Sequence, residues 1–220
     1  MNRCILRQEQ RYDWDCGLAC ADSVLISLCQ PPLSYLTRAD IWSVDVAILL
    51  SNSTTHSKTT LYSTSVSGIN PALADLPFYS QTFSIQTERL PNAFAAASAC
   101  GVSLVEQRVP IEALDDFLTD GARVILLCDA SRLFCIRAGC IRGLKKPREL
   151  SYSGHYVVLA VLPPSPSISR GGALATVLDP APGACASGCS ISIAALELAR
   201  DAVGCDNDVI VVTTTPPALL

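Results

Sequence analysis

Short, strongly apolar runs constrain the fold more than any other feature of this sequence. Runs of about six residues bounded by turn signals are typical of buried strands and are too brief for average helices. The runs at 123–128 and 155–162 are the most apolar, and similar strand patterns occur at 83–88, 102–106, 173–179 and 209–213. The chain therefore needs a sheet that is covered by helices.

Helical patterns supply that cover. At 15–29, Leu18, Val24, Leu25 and Leu28 form an apolar face, Asp15 is positioned to cap the start, and two prolines follow the end. Further helices are predicted at 40–50, 90–100, 110–120 and 193–203. A Ser- and Thr-rich stretch at 51–68 shows neither the apolar period of a helix nor that of a strand, and it is predicted to be a mobile surface loop. We expect one α+β domain over 1–220.

Composition narrows the class of protein. The chain has 220 residues, 20 acidic and 16 basic, with a net charge of −4. That balance disfavours general binding to nucleic acid or to an anionic membrane. No run reaches the roughly 18 apolar residues of a membrane span, and charge near the N-terminus argues against a secretory signal. We expect a cytoplasmic protein; the basic run at 137–148 fits a solvated loop or, alternatively, a contact to phosphate or an acidic substrate.

The eleven cysteines are predicted to be reduced and mostly buried. An odd number cannot all pair within one chain. Cys135 and Cys140, and Cys185 and Cys189, have the closest later spacings, yet neither is Cys-x-x-Cys and no histidine is near them. The expectation from sequence is therefore no metal site and no resident cofactor.

His155 opens an apolar strand, and Asp179 closes the next one. If the two strands form a hairpin whose loop centres on Ser167, His155 and Asp179 are opposite each other at the open end. The carboxylate would accept the imidazole N–H and fix its tautomer. A bulge in the loop would shift this register by a residue or two.

Cys16 is the candidate nucleophile. It falls in the first turn of the predicted 15–29 helix, where the helix dipole and a protonated His155 favour the thiolate. Gly17 permits close approach of the backbone to a bound carbonyl, and the Gln10 amide is a candidate oxyanion donor. Cys, His and Asp in these roles are typical of covalent acyl transfer.

These residues carry a resemblance. Three segments resemble bacteriocin-processing peptidase domains and their papain-like relatives: Gln10 and, after five intervening residues, Cys16-Gly17-Leu18-Ala19-Cys20; then His155-Tyr156-Val157-Val158-Leu159; and Asp179-Pro180-Ala181. The resemblance implies an oxyanion Gln10, a nucleophilic Cys16, a basic His155 and an orienting Asp179. It also implies a papain-like fold, in which the Cys helix packs on a twisted antiparallel sheet.

A second resemblance covers more of the chain. The segments 12–20, 41–47, 78–83 and the tail from 190 to 210 resemble the guanylyl cyclase domain-containing protein family, which includes plant soluble guanylyl cyclases. That resemblance implies conversion of GTP to cyclic GMP. Cyclases that use two metal ions hold magnesium on paired carboxylates, and no such pair occurs on a clear predicted strand.

Three functions remain open. The first is a thiol hydrolase that cleaves a peptide, amide or thioester bond with Cys16, His155, Asp179 and Gln10, and that needs no cofactor; its substrate is a peptide or other acyl compound, or a protein. The second is a guanylyl cyclase that uses GTP and magnesium. The third is a non-catalytic scaffold that binds a protein partner.

Overall fold

The computed structural model describes residues 5–33, 41–137, 140, 151–163 and 172–214. Five α-helices occur in these ranges: α1 (Cys16–Ser27), α2 (Ser43–Ser53), α3 (Phe83–Ala99), α4 (Ile111–Thr119) and α5 (Ile193–Arg200). Seven strands accompany them: β1 (Ser57–Ser63), β2 (Val102–Glu106), β3 (Arg123–Asp129), β4 (Gly154–Val161), β5 (Leu174–Leu178), β6 (Cys189–Ser192) and β7 (Val209–Thr214). Short 3-10 helices occupy Pro71–Asp75 and Ala130–Arg132.

All seven strands form one sheet, in the order β2-β1-β7-β3-β4-β5-β6. The predicted α+β class is confirmed, but the sheet is mixed and not wholly antiparallel. β1 and β2 run parallel, whereas the other neighbouring pairs are antiparallel. The parallel pair arises because α3 lies between β1 and β2 in the chain and returns it to the starting end of the sheet.

Apolar clusters cover both faces of the sheet. Side chains of α1, α2 and α3 pack on one face, and those of α4 and α5 pack on the other. The first cluster includes Leu25, Leu50, Leu90, Ile125 and Val158. The second includes Leu114, Leu126, Leu159, Val177 and Leu196. Alternate residues of β3 and β4 thus supply both clusters, which explains why these strands read as continuous apolar runs.

The predicted loop at 51–68 is wrong over much of its length, since Ser57–Ser63 forms β1 in the interior of the sheet. Thr59, Leu61 and Ser63 are its buried positions, and the residues between them are more exposed. This is the period of two expected of a strand. Two of the three inward positions are polar, so the apolar pattern that identifies a strand was hidden.

The strand predicted at 83–88 is also wrong, because those residues form the first part of α3. The buried residues of this helix are Gln86, Leu90 and Ala97, spaced four and seven apart. One inward position is an amide, and Pro91 lies inside the helix, where it lacks an N–H donor. Both features weakened the helical pattern before residue 90.

The predicted register of the β4–β5 hairpin is shifted. It pairs Val158 with Thr176, whereas Val158 is opposite Leu178, two residues further along. The displacement is three residues at Val161, which is opposite Thr176, and the irregularity between Leu159 and Val161 reduces it to two. The hairpin loop at 164–171, and the basic run apart from Arg137 and Cys140, lie outside the described residues. No helix of the described ranges has the length and apolar character needed to cross a bilayer.

Candidate active site

Three chain segments meet at the candidate active site. Cys16 is the first residue of α1, His155 is the second residue of β4, and Asp179 directly follows β5. Cys16 and His155 are each 6% exposed, and Asp179 is 1% exposed. The structure therefore brings together three of the four residues that the sequence singled out.

His155 and Asp179 form a buried ion pair. The imidazole Nε2 lies 2.8 Å from Oδ1 of Asp179. The same carboxylate oxygen accepts the backbone N–H of Ala181 at 2.8 Å. Because Nε2 is engaged by the carboxylate, Nδ1 is the ring nitrogen left for Cys16.

The Cys16 thiol is hydrogen-bonded to His155 and to backbone N–H groups of Tyr156 and Gly17. Burial alone raises the pKa of this thiol, but the hydrogen bond to His155 and the charge of the imidazole outweigh burial, so the pKa is lowered from its usual 9.0. For His155 burial lowers the pKa, whereas the hydrogen bonds to Asp179 and Cys16 raise it to about 9. The pair is therefore stabilised as thiolate and imidazolium.

Gly17 allows α1 to lie close to β4. A Cβ atom at this position would be 3.1 Å from Cδ2 of Tyr156 and 3.1 Å from Cγ2 of Val46. These distances are shorter than ordinary van der Waals contacts between carbon atoms. The close approach that a glycine permits here is to side chains of the core, and the predicted approach of the backbone to a bound carbonyl stays a prediction.

Gln10 is near the site but its side chain is engaged elsewhere. Its backbone N–H donates to the Pro180 carbonyl at 2.9 Å, and its Nε2 donates to the Tyr12 carbonyl at 2.9 Å. Within the described residues, Gln10 Oε1 is buried and has no hydrogen-bond partner. The amide thus retains one N–H for a ligand, and the predicted oxyanion role stays a prediction.

Asp15 does not cap α1 with its side chain, contrary to prediction. Its buried carboxylate instead accepts the backbone N–H groups of Arg11 and Tyr12, at 3.1 Å and 3.0 Å. These bonds hold the segment before α1 in a turn. The Asp15 carboxylate is thus engaged by the backbone of this turn.

Arg7 is a positioning residue that the sequence analysis missed. Its guanidinium donates from Nε to the Asp179 carbonyl and from Nη2 to the Ala181 carbonyl, both at 2.6 Å. The N-terminal segment therefore fixes the backbone that carries Asp179. No signal in the sequence links an arginine near the N-terminus to a turn more than 170 residues away.

A second cysteine of α1 and the other histidine of the chain are core and surface residues, respectively. Cys20 is buried one turn after Cys16, and burial, followed by the nearby Cys16 and Asp179, raises its pKa well above 9.0. His56 is exposed, in a left-handed backbone conformation at φ 59°. Neither one supplies a group to the site.

Comparison with known proteins points to one family. The sequence profile of a family described as guanylylate cyclase matches residues 5–212. A curated relative named guanylyl cyclase 1, from Arabidopsis thaliana, is 29% identical over 159 residues, which is 68% of this chain. The chain spans 57% of the length of that relative.

Proposed function

We propose that the site is a thiol hydrolase centre acting on peptide, amide or thioester bonds. The chain belongs to the guanylylate cyclase family. The observation that carries the proposal is the chain of contacts from the Cys16 thiol through His155 to Asp179. A papain-like arrangement of the Cys helix on the sheet is part of the same proposal.

In the proposed reaction, the Cys16 thiolate attacks the carbonyl carbon and forms an acyl–sulfur bond. His155 gives its proton to the departing amine or thiol. A water molecule then attacks the acyl group, with His155 accepting its proton, and the carboxylic acid and the free thiolate are released. Asp179 holds the imidazole in one orientation throughout.

The oxyanion of the tetrahedral intermediate requires hydrogen-bond donors. Cys16 is the first residue of α1, so its own backbone N–H has no partner within the helix. We assign this N–H and the second N–H of Gln10 Nε2 to the oxyanion.

Labelling with electrophilic acyl probes, followed by mass-spectrometric mapping of the adduct, tests the proposal. We expect the adduct on Cys16, its loss in Cys16→Ala and a strong decrease in His155→Gln. Cys29→Ser is the matched control, because Cys29 is exposed and remote from His155 in the chain. Adducts confined to the more accessible Cys29 and Cys100 would contradict the proposal.

A second candidate function is conversion of GTP to cyclic GMP, which the names of the family and of the relative favour. One observation supports it. Asp206 and Asp208 lie in the turn before β7, and within the described residues Asp208 Oδ1 is buried without a hydrogen-bond partner. Burial raises the pKa of Asp208 to about 7. Hydrogen bonds from Ser43 and Ser63 oppose this increase, and the charge of Asp206 adds to it. Magnesium prefers such carboxylate oxygens.

Cyclic GMP formation from GTP and magnesium distinguishes the two candidates. Product formed by Cys16→Ala at the rate of the unmodified chain, and lost in Asp208→Asn, would support the cyclase and leave Cys16 without a role in it. No cyclic GMP from any variant, together with a Cys16 acyl adduct, would support the hydrolase. A protein partner captured equally by wild type and Cys16→Ala, with neither activity, would favour the scaffold.

A further inference from the structure

Four cysteines converge on one face of the sheet, and Cys16 lies on the opposite face. They are Cys135, Cys140, Cys185 and Cys189, and their Sγ atoms all lie within 4.8 Å of one another. The Cys140 and Cys189 sulfurs are 3.6 Å apart, and those of Cys135 and Cys185 are 4.0 Å apart. These distances are too long for disulfide bonds, which require about 2 Å.

The spacing fits a tetrahedral metal ion. Zinc–sulfur bonds of about 2.3 Å directed to the corners of a tetrahedron place the sulfurs about 3.8 Å apart. The two closer pairs bracket that value, and small adjustments bring the other distances to it. Three of the four cysteines are buried and Cys185 is half-buried, and four thiols match the four protein ligands of a structural zinc site.

Two backbone segments hold the cysteines in place. Cys135 and Cys140 follow the 3-10 helix Ala130–Arg132, whereas Cys185 precedes β6 and Cys189 begins it. The Ile136 N–H donates to the Ser190 carbonyl at 3.0 Å. The Arg137 guanidinium donates to the hydroxyls of Ser187 and Ser190, both at 2.8 Å. These contacts join the segments independently of any metal.

A backbone hydrogen bond also fixes the turn between Cys185 and Cys189. The Gly188 N–H donates to the Cys185 carbonyl at 3.0 Å, with Gly188 in a left-handed conformation at φ 94°. Three residues separate Cys185 from Cys189, and four separate Cys135 from Cys140. Both separations lie within the range of two to four found for paired ligands of structural zinc.

We propose that Cys135, Cys140, Cys185 and Cys189 form a structural site for one thiophilic divalent metal ion, zinc by preference. Soft thiolate ligands in tetrahedral geometry select zinc over magnesium or calcium. Each thiol that binds gives up its proton, so the ion exchanges for protons without any redox step. The site differs from the absence of metal that we predicted from sequence, and it does not depend on the proposed hydrolase.

The metal content of the full chain, purified without chelator and under reducing conditions, tests the site. We expect about one zinc ion per chain by elemental mass spectrometry, and its loss in Cys140→Ser and Cys189→Ser. Cys29→Ser and Cys100→Ser are the matched controls and should retain the zinc, since neither cysteine belongs to the cluster.

Cobalt binding keeps the test decisive if a cysteine variant fails to fold. Apoprotein of the unmodified chain should bind about one cobalt ion, with thiolate charge-transfer bands and the intense visible bands of tetrahedral coordination. Absence of both zinc and these bands from folded protein would overturn the proposal. Non-reducing peptide mapping that finds disulfides joining these four cysteines in freshly purified protein would also overturn it.

Discussion

His155 Nε2 lies 2.8 Å from Asp179 Oδ1, although the two residues are not opposite each other in the β4–β5 register. Val158 pairs with Leu178, so Asp179 lies beyond the end of β5 and contacts His155 diagonally. The contact therefore depends on the turn after β5, which Arg7 holds through the Asp179 and Ala181 carbonyls. The position of the imidazole thus depends on three segments that are distant in the chain: β4, the turn after β5 and the N-terminal segment that carries Arg7.

Cys16 should remain reactive at a pH where the buried thiol of Cys128 is protonated. The interaction with His155 lowers the pKa of Cys16, whereas burial raises the pKa of Cys128 to about 12. At pH 6 we expect iodoacetamide to alkylate Cys16 at least about tenfold faster than Cys29 per unit exposed area. Peptide mapping after timed alkylation measures both rates, and equal rates would contradict the thiolate–imidazolium pair.

The contribution of His155 to stability should disappear in alkaline solution. Its pKa is about 9 in the folded chain, above the ordinary 6.5. Protonation therefore favours the folded state below about pH 6.5, and the benefit is lost as the pH rises through about 9. Urea unfolding of wild type and His155→Gln should show a difference at pH 6 that shrinks by pH 10. A difference that grows with pH would contradict this assignment.

Asp179→Asn should impair the proposed hydrolase activity while preserving the fold. The amide keeps the size of the side chain but removes the charge that raises the pKa of His155. We expect the pKa of His155 to fall and the acylation rate to decrease by at least about 100-fold. The rate–pH profile and NMR titration of His155 measure the two effects. Unchanged titration of His155 would show that Asp179 does not act on the ring.

Arg7→Ala should destabilise the chain through the turn after β5. The change removes two hydrogen bonds from a guanidinium that is 9% exposed and leaves the carbonyls of Asp179 and Ala181 without that donor. We expect unfolding to become easier by about 2 kcal/mol. Glu9→Ala is the control, since it leaves both carbonyl bonds intact and removes only the exposed ion pair to Arg7. Equal losses in the two variants would mean that the carbonyl bonds contribute nothing.

Gly188→Ala should be more harmful than Gly172→Ala, although both glycines have left-handed backbones, at φ 94° and φ 102°. A Cβ atom at Gly188 would lie 2.6 Å from Cγ2 of Thr176, whereas nothing lies within 4 Å at Gly172. Backbone strain costs each variant about 1 kcal/mol, and the collision adds to it only at Gly188. Thermal unfolding compares the two, and equal losses would exclude a steric role for Thr176.

Local patterns predicted the elements that carry the site. Cys16 begins a helix and His155 lies at the beginning of an apolar strand, much as the residue periods indicated. Periodicity failed where inward positions are polar, at Thr59 and Ser63 of β1 and at Gln86 of α3. An apolar pattern reports burial only when the buried side chain is itself apolar.

By itself the sequence determined the identities of the candidate site residues and their places within single elements, because helix starts and strand ends depend on neighbouring residues. Two contacts were determined only by the tertiary structure. One is the hydrogen bonding of Arg7 to the turn that carries Asp179, and the other is the proximity of Cys135 and Cys140 to Cys185 and Cys189. Those cysteine pairs are about 50 residues apart in the chain, and no local period relates them. Sheet register and turn geometry set such distances, and both result from packing across the whole domain.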